Sequence, residues 1–520
     1  MKMLKSFIVV LVLMALVPST VFAQNSKKKR CDSEECVFEI LEKLNSTDKT
    51  VVANAEKTLD SLANEAKMTA DSRSKDALKN SILPFVEKFN KVGSRDFLFS
   101  LLPMFCDERD AYDIFIFVDN EALADAVIRT VGDIPGSETL IEKYIVKNHD
   151  DLQHKAALAY AVGKLGMSSM ENELISWLKD ADDTTKIEVY NALLIIRTNE
   201  KTTKIVEKGA KKLYKSTISS NKIAGMRLIA ALDGEKCMPK LYKALKDNNK
   251  EVRVVALDLM KPYVNEKVCA MVVKKCKKTI AIIDAIDWLG DIKNDTQMEF
   301  LISQLSVENP KVVEATIRAI FKIDNADGIN AVKPMFGGDY QEVIKESMMT
   351  YEGDYRAVLN DVIRTGDVKQ KLAALQIIEG RPDVGLFVRV IELLYIENQA
   401  VRDEAYKVLK DVVVVANAEM LSALLENCDE RYVEQVQLAI KNAMKTATVE
   451  KKDLFASTLK HVKPNIMPRF YNVFAYFGTE LCVDKLIDAY QNGDYKFEAK
   501  EALLLVEDER FAEKIKNALK

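Results

Sequence analysis

Glycine and proline are scarce in this chain, 18 and 11 in 520 residues. Flexible or extended linkers need one or the other, so the scarcity argues against domains strung on tethers and for helix packed continuously on helix. Histidine is scarcer still. His149, His154 and His461 have no metal-binding spacing, because His149 and His154 lie five apart and drift off a common helix face. Glycine-rich phosphate loops, G-x-S-x-G elbows and H-E-x-x-H pairs are missing. With them go the usual signs of nucleotide, hydrolase and zinc chemistry, and no catalytic, metal or cofactor residue is assigned. Basic residues are outnumbered, 75 Lys and Arg against 79 Asp and Glu, which gives no footing for a nucleic-acid partner.

What is present is the composition of an ordinary folded protein, 48% hydrophobic and 30% charged. The length exceeds one compact core, so several domains or a repeat array are expected. Lys2 and Lys5 precede an unbroken apolar run, Phe7–Val17, then Pro18 and "VFA" ending at Ala23. That three-part layout is a secretory signal peptide, and the run is short for a membrane span. "KKKR" at Lys27–Arg30 works against export and leaves an uncleaved anchor as the alternative. The expectation is a signal peptide over 1–23 and a basic tail over 24–35. The protein is then periplasmic or secreted, with no membrane contact after cleavage. Losing Lys2 and Lys5 takes the net charge from −4 to −6. Of the eight cysteines, only Cys31 and Cys36, in "CDSEEC", are close enough in sequence to suggest a disulfide. Cys269 and Cys276 would stand about 10 Å apart along one helix, too far to bridge. The others read as small buried hydrophobes.

Self-similarity organises the rest. "VGDI" (Val131–Ile134), "VGKL" (Val162–Leu165) and "LGDI" (Leu289–Ile292) have glycines 31 and then 127 residues apart, one unit and then four. "LISWL" (Leu174–Leu178) and "LISQL" (Leu301–Leu305) are also 127 apart, and "LYKALKD" (Leu241–Asp247) falls between them. Two unrelated markers share one spacing. A third marker is Val-Arg followed three residues later by Ala, at Val252 and at Val401. After it Val252, Val255, Ala256, Leu259 and Met260 form one apolar helix stripe, and Val254 and Leu257 a second. A helix apolar on two sides is packed between neighbours. Each unit therefore reads as helix A, a turn rich in Asp and Asn, helix B, then Gly and a short turn.

In "VRVVALDLM", "VRDEAYKVL", "AALAYAVGKLG" (Ala156–Gly166) and "AIDWLGDI" (Ala285–Ile292) the chain resembles the HEAT-repeat family. The resemblance covers 119–520, about a dozen units. Residues 36–118 are helical by period but irregular as repeats, and most units lack the Val-Arg pair. It implies an all-α, right-handed α-solenoid of HEAT-like hairpins with a period of about 30. It also implies binding of a protein partner or extended ligand along a concave helix-B surface. Some members of the family are enzymes, including base-excision glycosylases and bilin lyases. Export and acidity disfavour the first, and no motif supports the second. The chain is also similar to exported HEAT arrays of Gram-negative bacteria, some of which precede a domain that processes keto-sugars or glycosides. Here the helical period runs to Lys520. The expectation is a non-catalytic extracytoplasmic scaffold for a protein partner. The alternative is the helical accessory region of a carbohydrate-processing enzyme, with carbohydrate as ligand.

Several residues stand out as candidates. Asp284, Asp287 and Asp291 lie at i, i+3, i+7 and share one helix face, read as a solvated acidic face or an acidic groove for a basic partner or cation. Trp288 aligns with Ala161 in the packed stripe. Trp177 aligns with Ala244 and Gln304, a slot that accepts a polar group, and is expected to be the more exposed tryptophan and a partner contact. "KKCKK" (Lys274–Lys278) reads as a solvated basic knot at a helix end, with an anion site as the sharper alternative. In "RFYNVFAYFG", Phe470, Phe474 and Phe477 have core spacing. Near the C-terminus Phe511, Ile515 and Leu519 form an apolar stripe, either a cap on the array or a docking end.

Overall fold

The computed structural model describes residues 33–68, 72–89 and 91–520. The expected signal peptide and cleavage site, the tail before residue 33 and Cys31 lie outside these residues. Among the described residues there are α-helices, short 3-10 turns and loops, and no strand. The chain divides into two compact units, one ending at Gly234 and one running from Glu235 to Lys520. Each is a HEAT-like array of helical hairpins, with the A helices in one row and the B helices in another.

In the first unit the B row includes Ala124–Gly132, Lys155–Lys164, Asp183–Ile196 and Ser219–Asp233, each packed on the next. In the second it runs through Lys250–Met260, Ile282–Asp291, Pro310–Ile323, Gln341–Thr350 and Val368–Gly380, and on to Lys496–Leu504. The repeat register read from the sequence holds residue for residue. Lys155–Lys164 and Ile282–Asp291 have the same bounds after a shift of 127, as do Glu171–Trp177 and Met298–Gln304. Before residue 119 the hairpins are less regular. Lys49–Met68 is 20 residues long, and Ser72–Lys88 carries Pro84 inside it.

Each sequence marker has a physical role. A Cβ on Gly132, Gly163 or Gly290 would stand 2.6, 2.8 or 2.9 Å from the Cα of Ala161, Ala192 or Ala319 on the next B helix. The glycine of each marker is thus the point where two B-helix backbones meet, with alanine as the partner across the seam. The Asp and Asn residues of the turns are helix N-caps. Asp182, Asn249, Asn309 and Asn398 each accept a backbone N–H from the first turn of the following B helix. The arginine of the Val-Arg pair returns to the same turn. Arg253 Nη1 donates to the carbonyls of Asp247 and Asn248 at 2.9 and 3.0 Å, and Arg402 Nη1 to those of Ile396 and Glu397 at 2.6 and 2.8 Å. In the Val368–Gly380 hairpin, which lacks the pair, Lys371 holds the same position and donates Nζ to the Gly366 carbonyl of its turn.

Cys36 is disulfide-bonded, and its partner lies outside the described residues. Cys106, Cys269, Cys276, Cys428 and Cys482 are free thiols, and Cys237 is fully buried. Burial pushes the Cys276 thiol up to about 12 and that of Cys482 to about 11, as befits core residues. Phe470, Phe474 and Phe477 are buried, in keeping with core spacing.

Candidate functional site

The B helices of the second unit carry a cleft of about 650 Å³ where Ile282–Asp291, Pro310–Ile323 and Gln341–Thr350 end side by side. Repeat geometry sets its charges. Asp287 and Asp291 sit one turn apart on the first helix, and Arg318 and Lys322 occupy the corresponding positions 31 residues later on the second. Lys322 Nζ meets Asp291 Oδ1 at 2.7 Å. Asp287 is half-buried, and burial holds its carboxyl above the usual range against the pull of Arg318, Lys250 and Lys322. Lys293, in the left-handed region at φ 50°, reaches two hairpins along to Glu352 at 2.9 Å. That contact holds the fully exposed Glu352 carboxyl below its usual range.

The apolar wall is Phe321 set edge-on to Tyr351, centroids 5.3 Å apart. Tyr351 donates its hydroxyl to Asp324 Oδ1. Burial, and then that carboxylate, push the Tyr351 phenol well up. Arg381 Nη1 fixes the turn beneath by donating to the carbonyls of Met348 and Tyr351 at 2.6 and 2.8 Å. The cleft therefore offers exposed charges of both signs over an almost wholly buried aromatic pair.

The three aspartates do not share one solvated face. Asp284 is buried, and its Oδ2 accepts from Arg253 Nε of the preceding hairpin at 2.5 Å. The helix face that bears it is covered by that neighbour, whose guanidinium supplies the counter-charge. Asp291 lines the cleft and Asp287 lies one turn before it, but the chain's own cations oppose both, so the groove is of mixed charge rather than acidic. Trp288 is packed as expected, 3% exposed. Trp177 is not the exposed tryptophan the sequence suggested: it is 6% exposed. Its indole N–H donates to Glu173 Oε1, one turn earlier, at 2.9 Å. The polar tolerance of that slot is met by a local carboxylate, not by solvent.

At the C-terminus Ile515 is buried and Phe511 and Leu519 are half-buried. Lys514 pins their helix to Asp484 at 2.5 Å, so most of the stripe is spent on the preceding hairpin. Arg318, Lys322, Lys293, Glu352 and Tyr351 were not singled out in the sequence. The 31-residue shift from Asp287 and Asp291 was the signal that could have found the first two. Among the described residues no group of three or more His, Cys, Asp or Glu converges to hold a metal.

No family model and no curated protein matches the chain. Solved structures overlap it at low identity. Yeast importin-beta (Kap95p) is 11% identical with a TM-score of 0.39, over 94% of this chain and 79% of that one. Kap95p with RanGDP is 10% identical with a TM-score of 0.40, over the same shares. Kap121p bound to the extreme C-terminus of the protein phosphatase Cdc14p is 12% identical with a TM-score of 0.27, over 94% and 52%. Overlaps this loose add nothing to what the chain's own helices establish. The fold is a HEAT-like array.

Proposed function

We propose that the chain is a non-catalytic extracytoplasmic scaffold that holds a protein partner, with the cleft of the second unit as a contact. The observation that carries this reading is the pair of exposed ion pairs across the cleft, Asp291 with Lys322 and Lys293 with Glu352. Exposed pairs contribute only about 0–1 kcal/mol each to stability, so they exchange readily for pairs with a partner's side chains. Charges of both signs over the Phe321–Tyr351 pair match a polypeptide better than a uniformly charged ligand.

The extracytoplasmic part of the proposal rests on Phe7–Val17 and "VFA". Cleavage after Ala23 makes Gln24 the new N-terminus. Sequencing protein from a periplasmic fraction tests this, and an intact residue 1 in the membrane fraction rejects it. For the cleft, a photo-crosslinking residue is placed at Glu346, and a control at the exposed Val388 on an A helix. The expected result is a polypeptide trapped from position 346 and not from 388, and lost with Arg318→Glu plus Lys322→Glu. Equal trapping from both positions, or trapping of glycan alone, overturns the reading.

A further inference from the structure

The chain is acidic overall, net −4, yet residues 235–281 carry eleven Lys and one Arg against five Asp and Glu. All lie in the second unit. The excess gathers on two touching A helices, Met238–Ala244 and Glu266–Cys276. The first buries Met238, Leu241 and Ala244, which leaves Lys243 facing outward, with Lys236 before the helix and Lys246 just past its end. The second buries Val268, Cys269, Val272, Val273 and Cys276. Lys267 and Lys274, at i and i+7, lie on its opposite face, and Lys277 and Lys278 follow just past its end. These seven lysines are exposed, and none makes an ion pair among the described residues. The cleft lysines differ: Lys293 and Lys322 both have carboxylate partners. Both helices turn their buried stripes to the B row, so their lysines share one surface.

We propose that this A-helix surface of the second unit seats on an anionic phospholipid bilayer. The proposal is independent of the cleft, and it replaces the expectation of no membrane contact after cleavage. Unpaired like charges on two adjacent helices and the turns at their ends are repulsive until a counter-charge arrives. Lysine ammoniums on flexible stems suit many mobile phosphates better than one fixed bidentate partner, for which arginine is the better group. A single-stranded nucleic acid would call for exposed aromatic rings between the charges. The half-buried Tyr242 is the one aromatic on these two helices. The neighbouring apolar group is Ile280, 62% exposed just beyond Lys277 and Lys278, placed to enter the headgroup layer beside them. No helix among the described residues is long and apolar enough to cross a membrane, so the contact is peripheral.

The test is co-sedimentation of the full chain with phosphatidylcholine vesicles, with and without phosphatidylglycerol. Each lysine near an anionic surface contributes roughly fivefold in binding, screened by salt. We expect phosphatidylglycerol-dependent binding that weakens as salt rises. Lys243→Gln, Lys246→Gln, Lys274→Gln and Lys278→Gln together should lose at least tenfold of it, with an unchanged melting midpoint. Lys27→Gln, Lys28→Gln and Lys29→Gln together should keep most of it, which separates the surface from the N-terminal tail. Equal partitioning of the parent and the four-lysine variant overturns the proposal. So does a parent chain that ignores the vesicles but captures soluble poly-glutamate, which would give the surface to an acidic protein segment.

Discussion

Arg253 Nε and Asp284 Oδ2 meet 2.5 Å apart across two successive hairpins of the second unit, with both side chains almost wholly buried. The same guanidinium closes the turn of its own hairpin through Asp247 and Asn248, so one residue ties a hairpin to itself and to the next. Removing one partner of a buried pair strands the other charge, at a cost of about 3–5 kcal/mol. Asp284→Ala should lose that much in denaturant unfolding. Asp284→Leu with Arg253→Met should recover only part, because methionine cannot serve the two carbonyls. A loss below about 1 kcal/mol for the single change would show that water reaches the pair.

The glycine seam gives a second test. Gly→Ala within a helix normally stabilises by about 0.5–1 kcal/mol. At Gly163 the new Cβ would sit 2.8 Å from the Ala192 Cα, so the two helices must part. Gly163→Ala should therefore destabilise by about 1–3 kcal/mol. Gly93 lies in the Val92–Leu101 helix, and a Cβ there would meet nothing within 4 Å, so Gly93→Ala should stabilise. Thermal melts of the two variants shifting in the same direction would contradict the seam.

The tryptophans separate at the indole nitrogen rather than in burial. Trp288 Nε1 is buried without a hydrogen-bond partner, whereas Trp177 Nε1 donates to Glu173. Truncation to alanine should cost about 3–5 kcal/mol at both positions. Replacement by phenylalanine should divide them. Trp288→Phe removes an unmet donor and should cost less than Trp177→Phe, which leaves a carboxylate short of a bond worth about 1.5–3 kcal/mol. Urea midpoints in the reverse order would refute this assignment.

The two tryptophans also mark how far the sequence could be read. A shift of 127 placed Trp288 on the packed stripe, because burial on a B helix follows helical period and neighbouring copies repeat it. The same logic failed for Trp177, since Gln304 in the equivalent slot signalled exposure while a local carboxylate, Glu173, was doing the solvating. Asp284 was misread for a related reason. Its face is set by Arg253 of the preceding hairpin, and a pattern within one helix does not report its neighbour's charge. The cleft was half legible: Asp291, and Asp287 one turn before it, were visible, but Arg318 and Lys322 emerge only when two hairpins are stacked.

Acid should release one further clamp in the second unit. Asp383 caps the turn Val384–Leu386 through the Gly385 N–H at 2.7 Å. It also receives Arg356 on both oxygens, at 2.9 and 2.8 Å, and the Tyr355 hydroxyl at 2.6 Å. Burial acts to raise this carboxyl, but the bonds from Arg356, Tyr355 and Gly385 outweigh it and hold the group below its usual range. A carboxyl depressed in the folded state contributes stability that is complete above its unfolded value, near 4, and is lost as pH falls through the lower folded value. Asp383→Asn should therefore cost about 1–3 kcal/mol at neutral pH, discounted from the value of a fully buried pair because the Arg356 side chain is half exposed. The gap between variant and parent should narrow below pH ~4 as the parent takes up the proton. Urea unfolding across that range reads the gap directly, and a gap that stayed constant or widened toward acid would show that Asp383 is not held ionised by these bonds.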